Sequence, residues 1–336
     1  MKPTAAILGW VASTDTHPLD AHYRTLTEGC GLLDRSERGK LALTGAGAVE
    51  FLNGQVTNEL STLTPGEGCY AAFLTHKGKM LGDLRILAVR SQQQDGTIEL
   101  LLDTERSTLQ ALFDMIRRFK IGYEVELHKR TVERGLLSLI GPSAQEITGA
   151  SGLGAVEHSN APVQLDGVSA QAVRTDVGVD LLCDAADTAT LSAALQALGA
   201  APVSEEAAEC VRIERGRPRY GVDLDDSVIP QEAGLNERAV NFTKGCYVGQ
   251  ETVARLFYKG KPNRHLRGLR LSAPVSGGEE LRLGERVVGH VGSVTVSPTF
   301  GPIALALVRR EAELGAVVDV GDSGVAGEVV ELPFRS

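Results

Sequence analysis

The chain has 336 residues, of which 43% are hydrophobic and 23% are charged, as in globular proteins and unlike mostly disordered ones. Its 43 acidic and 34 basic residues give a net charge of −9, which argues against a general nucleic-acid or membrane-surface binder. No segment approaches the roughly 18 consecutive apolar residues of a transmembrane helix. We therefore expect two or three domains that contact neither nucleic acid directly nor a membrane.

The N-terminus and the cysteines indicate a reducing compartment. Gly9 and Trp10 interrupt the first apolar stretch, so residues 1–20 resemble a signal peptide only weakly, and we expect a mature cytoplasmic N-terminus. The cysteines are odd in number and form no CxxC pair, which favours reduced thiols and predicts no metal site. They are Cys30, Cys69, Cys183, Cys210 and Cys246.

The first two-thirds of the chain alternates strand and helix patterns. Two apolar runs flank Lys77-Gly78-Lys79, which predicts a β-hairpin. Ser204 precedes two glutamates and is typical of a helix N-cap. The other predicted elements are a strand at 39–44 and helices at 47–54, 104–119, 186–199 and from 250 onward.

The last third is predicted to form a separate all-β module. Residues 216–247 contain four glycines and two prolines and are typical of a long functional loop. Helical periodicity ends near 260, so we place the domain boundary there, between 1–260 and 261–336. Short strands separated by turns indicate a small barrel. They lie at 266–272, 286–296, 303–308 and 324–332.

Basic residues cluster although the protein is acidic. Seven basic residues lie between 244 and 270, where Glu251 is the only acidic residue. Four arginines at 212–219 surround Glu214. Such a patch favours an anionic ligand, a carboxylate tail or a phosphate, or else a solvated face with ion pairs elsewhere.

The sharpest motif is KGCYVGQE at 244–251. Lys244 and the following helix N-terminus are the surroundings that stabilise a thiolate at Cys246. The alternative is a small buried hydrophobic cysteine. Only His265 is near in sequence, which argues against a Cys–His nucleophile, while Cys210 stays open as a resolving thiol.

Two acids stand out. Glu214 lies among arginines and is expected to stay ionised, either to bind a flat amino-heterocycle or to join a surface ion-pair network. Asp83 lies in an apolar strand, where a buried acid needs a partner, a ligand or a solvent-facing side. Period-2 alternation puts it on one face with Arg85, and a mutual ion pair is the simpler interpretation.

Nearly the whole chain resembles the YgfZ-like folate-binding family, relatives of the glycine-cleavage T-protein aminomethyltransferase (GcvT). The resemblance rests on segments 51–86, 211–224, 229–235 and 244–251. It implies an α+β fold, with two intertwined α/β subdomains and a C-terminal β-barrel in a ring around a central channel. It also implies binding of tetrahydrofolate or a one-carbon derivative.

The resemblance assigns roles to single residues. Glu214 matches the glutamate that holds the pterin, and Asp83 matches one acid of the aminomethyltransferase Asp-Asp pair, whose other acid is replaced by Gly82. Because one acid of that pair assists one-carbon transfer, we do not expect a true glycine-cleavage aminomethyltransferase. The candidate folate-binding residues are Glu214, Asp83, Arg212, Asn58, Tyr220 and Arg255.

Cys246 is the candidate key thiol, with Lys244 and Asp83 as the other candidate catalytic residues. Gly245, Tyr247, Gly249, Gln250 and Glu251 complete its motif. The leading hypothesis is a monomeric, tetrahydrofolate-binding accessory protein that assembles or repairs iron–sulfur clusters in client proteins, including tRNA-modifying enzymes. The alternatives are a folate-dependent one-carbon transferase or demethylase, and a scaffold without chemistry.

Overall fold

The computed structural model describes residues 18–91 and 98–335. The N-terminal segment expected to be cytoplasmic and mature therefore lies mostly outside the described residues. The helices are α1 (Pro18–Glu28), α2 (Ala48–Asn53), α3 (Leu109–Phe119), α4 (Ala144–Thr148), α5 (Thr188–Ala197), α6 (Glu205–Glu214), α7 (Asn236–Ala239) and α8 (Gln250–Lys259), with a 3-10 turn at Ala185–Asp187.

The strands form two open sheets and a barrel. The first eleven are β1 (Gly31–Asp34), β2 (Gly39–Thr44), β3 (Gly68–Leu74), β4 (Met80–Arg90), β5 (Ile98–Thr104), β6 (Glu126–Lys129), β7 (Arg134–Ile140), β8 (Asn160–Leu165), β9 (Val168–Arg174), β10 (Gly178–Asp184) and β11 (Ala201–Pro202). The barrel strands are β12 (Arg264–Leu271), β13 (Glu280–Leu283), β14 (Arg286–Ser297), β15 (Gly301–Arg309), β16 (Val317–Val320) and β17 (Val325–Val330).

The two α/β subdomains are intertwined in sequence, as expected. Along the chain, β1 of the first sheet precedes all five strands of the second sheet, and the remaining strands of the first sheet follow them. The spatial order of the strands is β3-β4-β5-β2-β6 in the second sheet and β11-β1-β7-β10-β9-β8 in the first. β1 pairs antiparallel with β7, about a hundred residues later, and parallel with β11. Neither subdomain is therefore a continuous stretch of chain.

The alternation of β4 explains how the subdomains meet. Leu84, Ile86 and Ala88 point into the core of the second sheet. Leu87 points the other way and packs against Leu136 of the first sheet. Because successive side chains alternate between faces, Asp83 and Arg85 share the Leu87 face and are buried between the subdomains.

Most predicted elements are confirmed. The strand at 39–44 and the hairpin of β3 and β4 form as expected, and Gly78 takes a positive φ of 74° in the turn. The Ser204 side chain accepts a hydrogen bond from the Ala207 amide and caps α6. The helix predicted at 104–119 begins only at Leu109, because residues 98–104 complete the second sheet as β5 and 105–108 form a turn.

The C-terminal module is a closed six-stranded barrel, as predicted. The sequence analysis did not predict β13 and β16, which are strands of only four residues each. Buried Asp223 attaches the barrel to the long loop, since its carboxylate accepts hydrogen bonds from the Ser293 amide (2.7 Å) and hydroxyl (2.9 Å). Among the described residues, no helix is both long and apolar enough to span a bilayer.

Candidate functional site

A central cavity of about 210 Å³ opens between the subdomains. Its lining comes from β3, β4, β5, β7, β10, α6, α7 and the loops beside them. Of the candidate catalytic and folate-binding residues, Asp83, Arg212 and Tyr220 line this cavity. A larger cavity of about 770 Å³ shares Asp103 with it, but none of the predicted site residues lines that one.

The two buried acids of the central cavity have opposite surroundings. Asp83 is buried, and burial raises its pKa to about 6, opposed by a hydrogen bond with Tyr70. Asp103 is equally buried, yet Arg38 and Arg85 outweigh burial and hold its pKa at about 2. Asp83 is therefore the carboxyl group suited to exchange a proton near neutral pH, while Asp103 stays ionised.

Arg85 does not pair with Asp83, although the two share a face of β4. Its guanidinium binds Asp103 at 2.7 Å and Asp180 of the first sheet at 2.6 Å. The simple interpretation from alternation, a mutual Asp83–Arg85 ion pair, is thus wrong. These two acids engage both terminal nitrogens of Arg85, and among the described residues Asp83 forms no ion pair.

Arginines dominate the cavity wall. The lining contains eight arginines and six carboxylates, so its formal charge is positive although the whole chain is acidic. The more exposed ones lie toward solvent, with 48% of the Arg215 side chain and 33% of the Arg217 side chain accessible. The cavity therefore suits a ligand that carries an anionic group at its outer end.

Arg212 lines the cavity, but its guanidinium is fully engaged. Its five N–H groups bind Glu209, Asp223, Ser293 and the Arg217 carbonyl. A guanidinium has no further donor to offer. In this structure Arg212 joins α6, the long loop and the barrel, and a direct contact between Arg212 and folate stays a prediction.

Glu214 lies outside the central cavity. It lines a neighbouring opening that shares Ile140, Asp176 and Arg215 with the cavity. Its carboxylate accepts hydrogen bonds from the Tyr23 hydroxyl at 3.0 Å and the Ser297 hydroxyl at 2.5 Å. This carboxylate connects α1, α6 and the barrel, and the pterin role that the resemblance implies for it stays a prediction.

The Cys246 motif forms a rigid surface loop. Cys246 is exposed and lies outside the lining of the central cavity. Tyr247 is buried beside Leu74 and Met80. Gly249 has a φ of 84°, and an added Cβ there would stand 2.5 Å from the Thr75 carbonyl oxygen, so only glycine fits.

Lys244 does not act on the Cys246 thiol in this structure. It is buried, and its ammonium donates to the carbonyls of Asn53 (2.7 Å), Val56 (2.9 Å) and Asn58 (2.5 Å). Burial lowers its pKa to about 8. Lys244 thus anchors the loop in this structure, and its catalytic role beside the thiol stays a prediction.

Asn58 connects this loop to the cavity wall. Its carbonyl accepts the Lys244 ammonium, and its side-chain amide donates to the Tyr70 carbonyl at 2.9 Å. Tyr70 lines the cavity, and the Arg238 guanidinium lies 4.3 Å from the centre of its ring. Asn58 is therefore a positioning residue between the two regions and not part of the cavity lining.

Of the remaining predicted residues, Arg255, Glu251 and Gln250 lie on α8 after the surface loop, and Tyr220 lies at the cavity. Arg255 and Glu251 are exposed on α8, outside the cavity lining. The Gln250 amide donates to the Gly245 carbonyl at 3.5 Å. Tyr220 lines the cavity, and its hydroxyl donates to the Met80 carbonyl at 3.2 Å.

The sequence missed several cavity residues. Tyr70 and His158 line the cavity with their rings 6.3 Å apart, and Glu157 binds Arg238 at 2.5 Å. Arg238 lies in α7, within the segment 216–247 that the sequence predicts to be functional. The sequence did not identify His158 as a site residue, because an isolated histidine in a turn belongs to no motif or periodic pattern.

Comparisons with known proteins agree with this architecture. Residues 13–244 match the GCVT N-terminal domain, and residues 264–335 match the glycine cleavage T-protein C-terminal barrel domain. The glycine cleavage system aminomethyltransferase T from Bartonella henselae has the same fold, with a TM-score of 0.82 at 24% identity over 94% of this chain and 89% of that one.

Curated relatives match across most of the chain. An aminomethyltransferase from Deinococcus deserti is 30% identical, covering 90% of this chain and 84% of that protein. "Putative transferase At1g60990, chloroplastic" from Arabidopsis thaliana is 28% identical over 95% of this chain and 74% of that protein. The chain belongs to the glycine cleavage T-protein (GcvT) family, with its N-terminal domain and its C-terminal barrel both present.

Proposed function

We propose that this protein binds a tetrahydrofolate in its central cavity and uses Cys246, at the surface, in the assembly or repair of iron–sulfur clusters in client proteins. The observation that carries the proposal is the separation of the two regions. Asp83 and the arginines line the cavity, whereas Cys246 is exposed and does not belong to that lining.

The cavity supports the folate part of the proposal. Folates join a flat pterin to an anionic glutamate tail, so they need polar groups and apolar walls at one end and cations at the other. Asp83, Tyr70 and Tyr220 supply the first set, and Arg215 and Arg217 supply cations toward solvent. A volume of about 210 Å³ is below the roughly 300 Å³ at which sites for whole drug-sized ligands begin, so only part of a folate would be enclosed.

The exposed Cys246 loop supports the part of the proposal that concerns client proteins. An exposed thiol on a rigid loop can be reached by a macromolecule, whereas a thiol inside a narrow cavity cannot. The other four cysteines are buried or half-buried. One thiol cannot hold a cluster alone, so the ligands that complete it would come from the client or from small thiols.

Equilibrium titration with 5-formyltetrahydrofolate tests the folate part. Binding to the native protein and weaker binding to Asp83→Asn would support the cavity, and no binding to the native protein would overturn it. Glu214→Ala belongs in the same series. Weaker binding would support the implied pterin role, and unchanged affinity would remove Glu214 from the site.

A rescue assay tests Cys246. Cells lacking this protein would carry the native gene, Cys246→Ser or Cys69→Ala at matched expression, and the activity of a [4Fe–4S] enzyme would be measured under oxidative stress. We expect native and Cys69→Ala to rescue and Cys246→Ser to fail. Rescue by Cys246→Ser would make this cysteine dispensable, and failure of the native gene would overturn the maturation role.

The second candidate is a folate-dependent one-carbon transferase, which the raised pKa of Asp83 favours. The structure also gives a reason against glycine-cleavage activity. A Cβ on Gly82 would lie 2.7 Å from the Phe73 ring, so the second acid of the aminomethyltransferase pair has no room here. Aminomethyl transfer from a purified carrier protein that Asp83→Asn abolishes would establish this candidate.

A further inference from the structure

The floor of the central cavity holds polar atoms that no protein group satisfies. Among the described residues, Arg85 Nε, Ser138 Oγ and both ring nitrogens of His158 are buried without a hydrogen-bond partner, and all three residues line this cavity. Buried polar atoms are nearly always paired, because an unpaired one has lost its hydrogen bonds to water without a replacement. Four such atoms at one cavity indicate that a bound molecule completes them.

His158 also has an unusual backbone. It is the third residue of a turn that the Ser159 amide closes on the Val156 carbonyl at 3.0 Å, and its φ is 71°. Glycine or asparagine is the usual residue at positive φ in a turn. The only other described non-glycine residue with positive φ is Asp166, in the tight β8–β9 hairpin turn, where this conformation is ordinary.

The ring of His158 is held in place and uncharged. It stacks on Tyr70 with 6.3 Å between ring centres and 24° between planes, and only 7% of the residue is exposed. Burial lowers its pKa to about 4 and outweighs the opposing effect of the Glu157 carboxylate, which lies 3.6 Å from His158 Nε2, beyond hydrogen-bond distance. A neutral imidazole offers one donor and one acceptor, which suits a heterocycle that carries both.

We propose that His158 is a ligand-binding residue of the central cavity, which hydrogen-bonds through its neutral imidazole to the heterocyclic end of the folate. Ser138 Oγ and Arg85 Nε would hydrogen-bond to the same end of the folate, while the arginines nearer solvent would bind its anionic tail. This inference rests on the proposed folate binding.

The test uses the full-length protein and 5-formyltetrahydrofolate as the probe. His158→Phe keeps the stacking on Tyr70 and removes both nitrogens, whereas His158→Gln keeps a donor and an acceptor. His290→Phe, exposed on the barrel, is the matched control. Affinity is measured by calorimetry, and the free energy of unfolding is measured without ligand.

We expect His158→Phe to bind at least tenfold more weakly and His158→Gln to stay within about threefold of native. Because His158→Phe removes unpaired buried polar atoms, the ligand-free protein should be no less stable than native. A structural histidine would behave differently, since its loss would lower stability in the absence of ligand.

The outcomes separate the two proposals. If the native protein binds the probe and His158→Phe binds equally well, His158 is not a ligand residue and folate binding stands. Loss of both affinity and ligand-free stability in His158→Phe would also overturn the inference, in favour of a structural role. If the native protein does not bind, folate binding itself fails, and the inference fails with it.

Discussion

The central cavity and the Cys246 loop are built in opposite ways. In the cavity, burial raises the pKa of Asp83 to about 6 and lowers that of His158 to about 4, and four polar atoms of the described lining have no hydrogen-bond partner. In the loop, the polar groups around the motif are satisfied by carbonyls, and the thiol itself is exposed. A ligand bound in the cavity would supply the missing hydrogen-bond partners, whereas the exposed thiol of the loop is accessible to a partner protein.

The largest effect should come from the group that joins the two regions. Lys244→Met leaves three carbonyls without their charged donor, so we expect the free energy of unfolding to fall by about 3 kcal/mol in urea denaturation. Folate affinity should fall too, because Asn58 connects Lys244 to Tyr70. Lys77→Met, exposed in the β3–β4 turn, should stay within about 0.5 kcal/mol of native; an equal effect of both changes would contradict the anchoring role.

An intermediate effect should appear in the pH dependence of stability. Burial raises the pKa of Asp83 from 3.8 to about 6, so the folded state binds the proton more tightly than the unfolded state. The contribution of Asp83 to stability is thus present below pH 3.8 and is lost as the pH rises through 6, by about 3 kcal/mol.

Asp83→Asn removes this titration. Its unfolding free energy relative to native should therefore rise between pH 4 and pH 7, as measured by denaturant titration at each pH. Asp166→Asn, in the exposed β8–β9 turn, provides the control. A constant difference between Asp83→Asn and native across this range would show that Asp83 has an ordinary pKa.

The smallest energetic effect belongs to the thiol. Cys246→Ser should leave stability within about 0.5 kcal/mol of native and folate affinity unchanged, because the side chain is exposed and outside the cavity lining. Burial raises the pKa of Cys30 to about 11 and those of Cys69 and Cys210 to about 12. A disulfide reagent should therefore modify one thiol rapidly in the native protein and none in Cys246→Ser; rapid reaction of several thiols would contradict this burial.

The sequence predicted helices and strands more reliably than it predicted which side chains contact each other. Alternation in β4 correctly placed Asp83 and Arg85 on one face, but it could not show that Asp103 and Asp180 come from two other strands to bind Arg85. The motif identified Lys244 and Cys246 as neighbours along the chain. The direction of the Lys244 side chain depended on three carbonyls almost 190 residues away, which no local pattern contains.

The intertwined sheets have a consequence for how the protein is made. β1 emerges from the ribosome about a hundred residues before its partner β7, and β11 follows later still. At roughly 5–20 residues per second, β1 waits on the order of ten seconds with unpaired edges. The second sheet, whose strands all lie between β1 and β7, is complete during that interval, so we expect it to fold first and to serve as the surface on which the first sheet assembles.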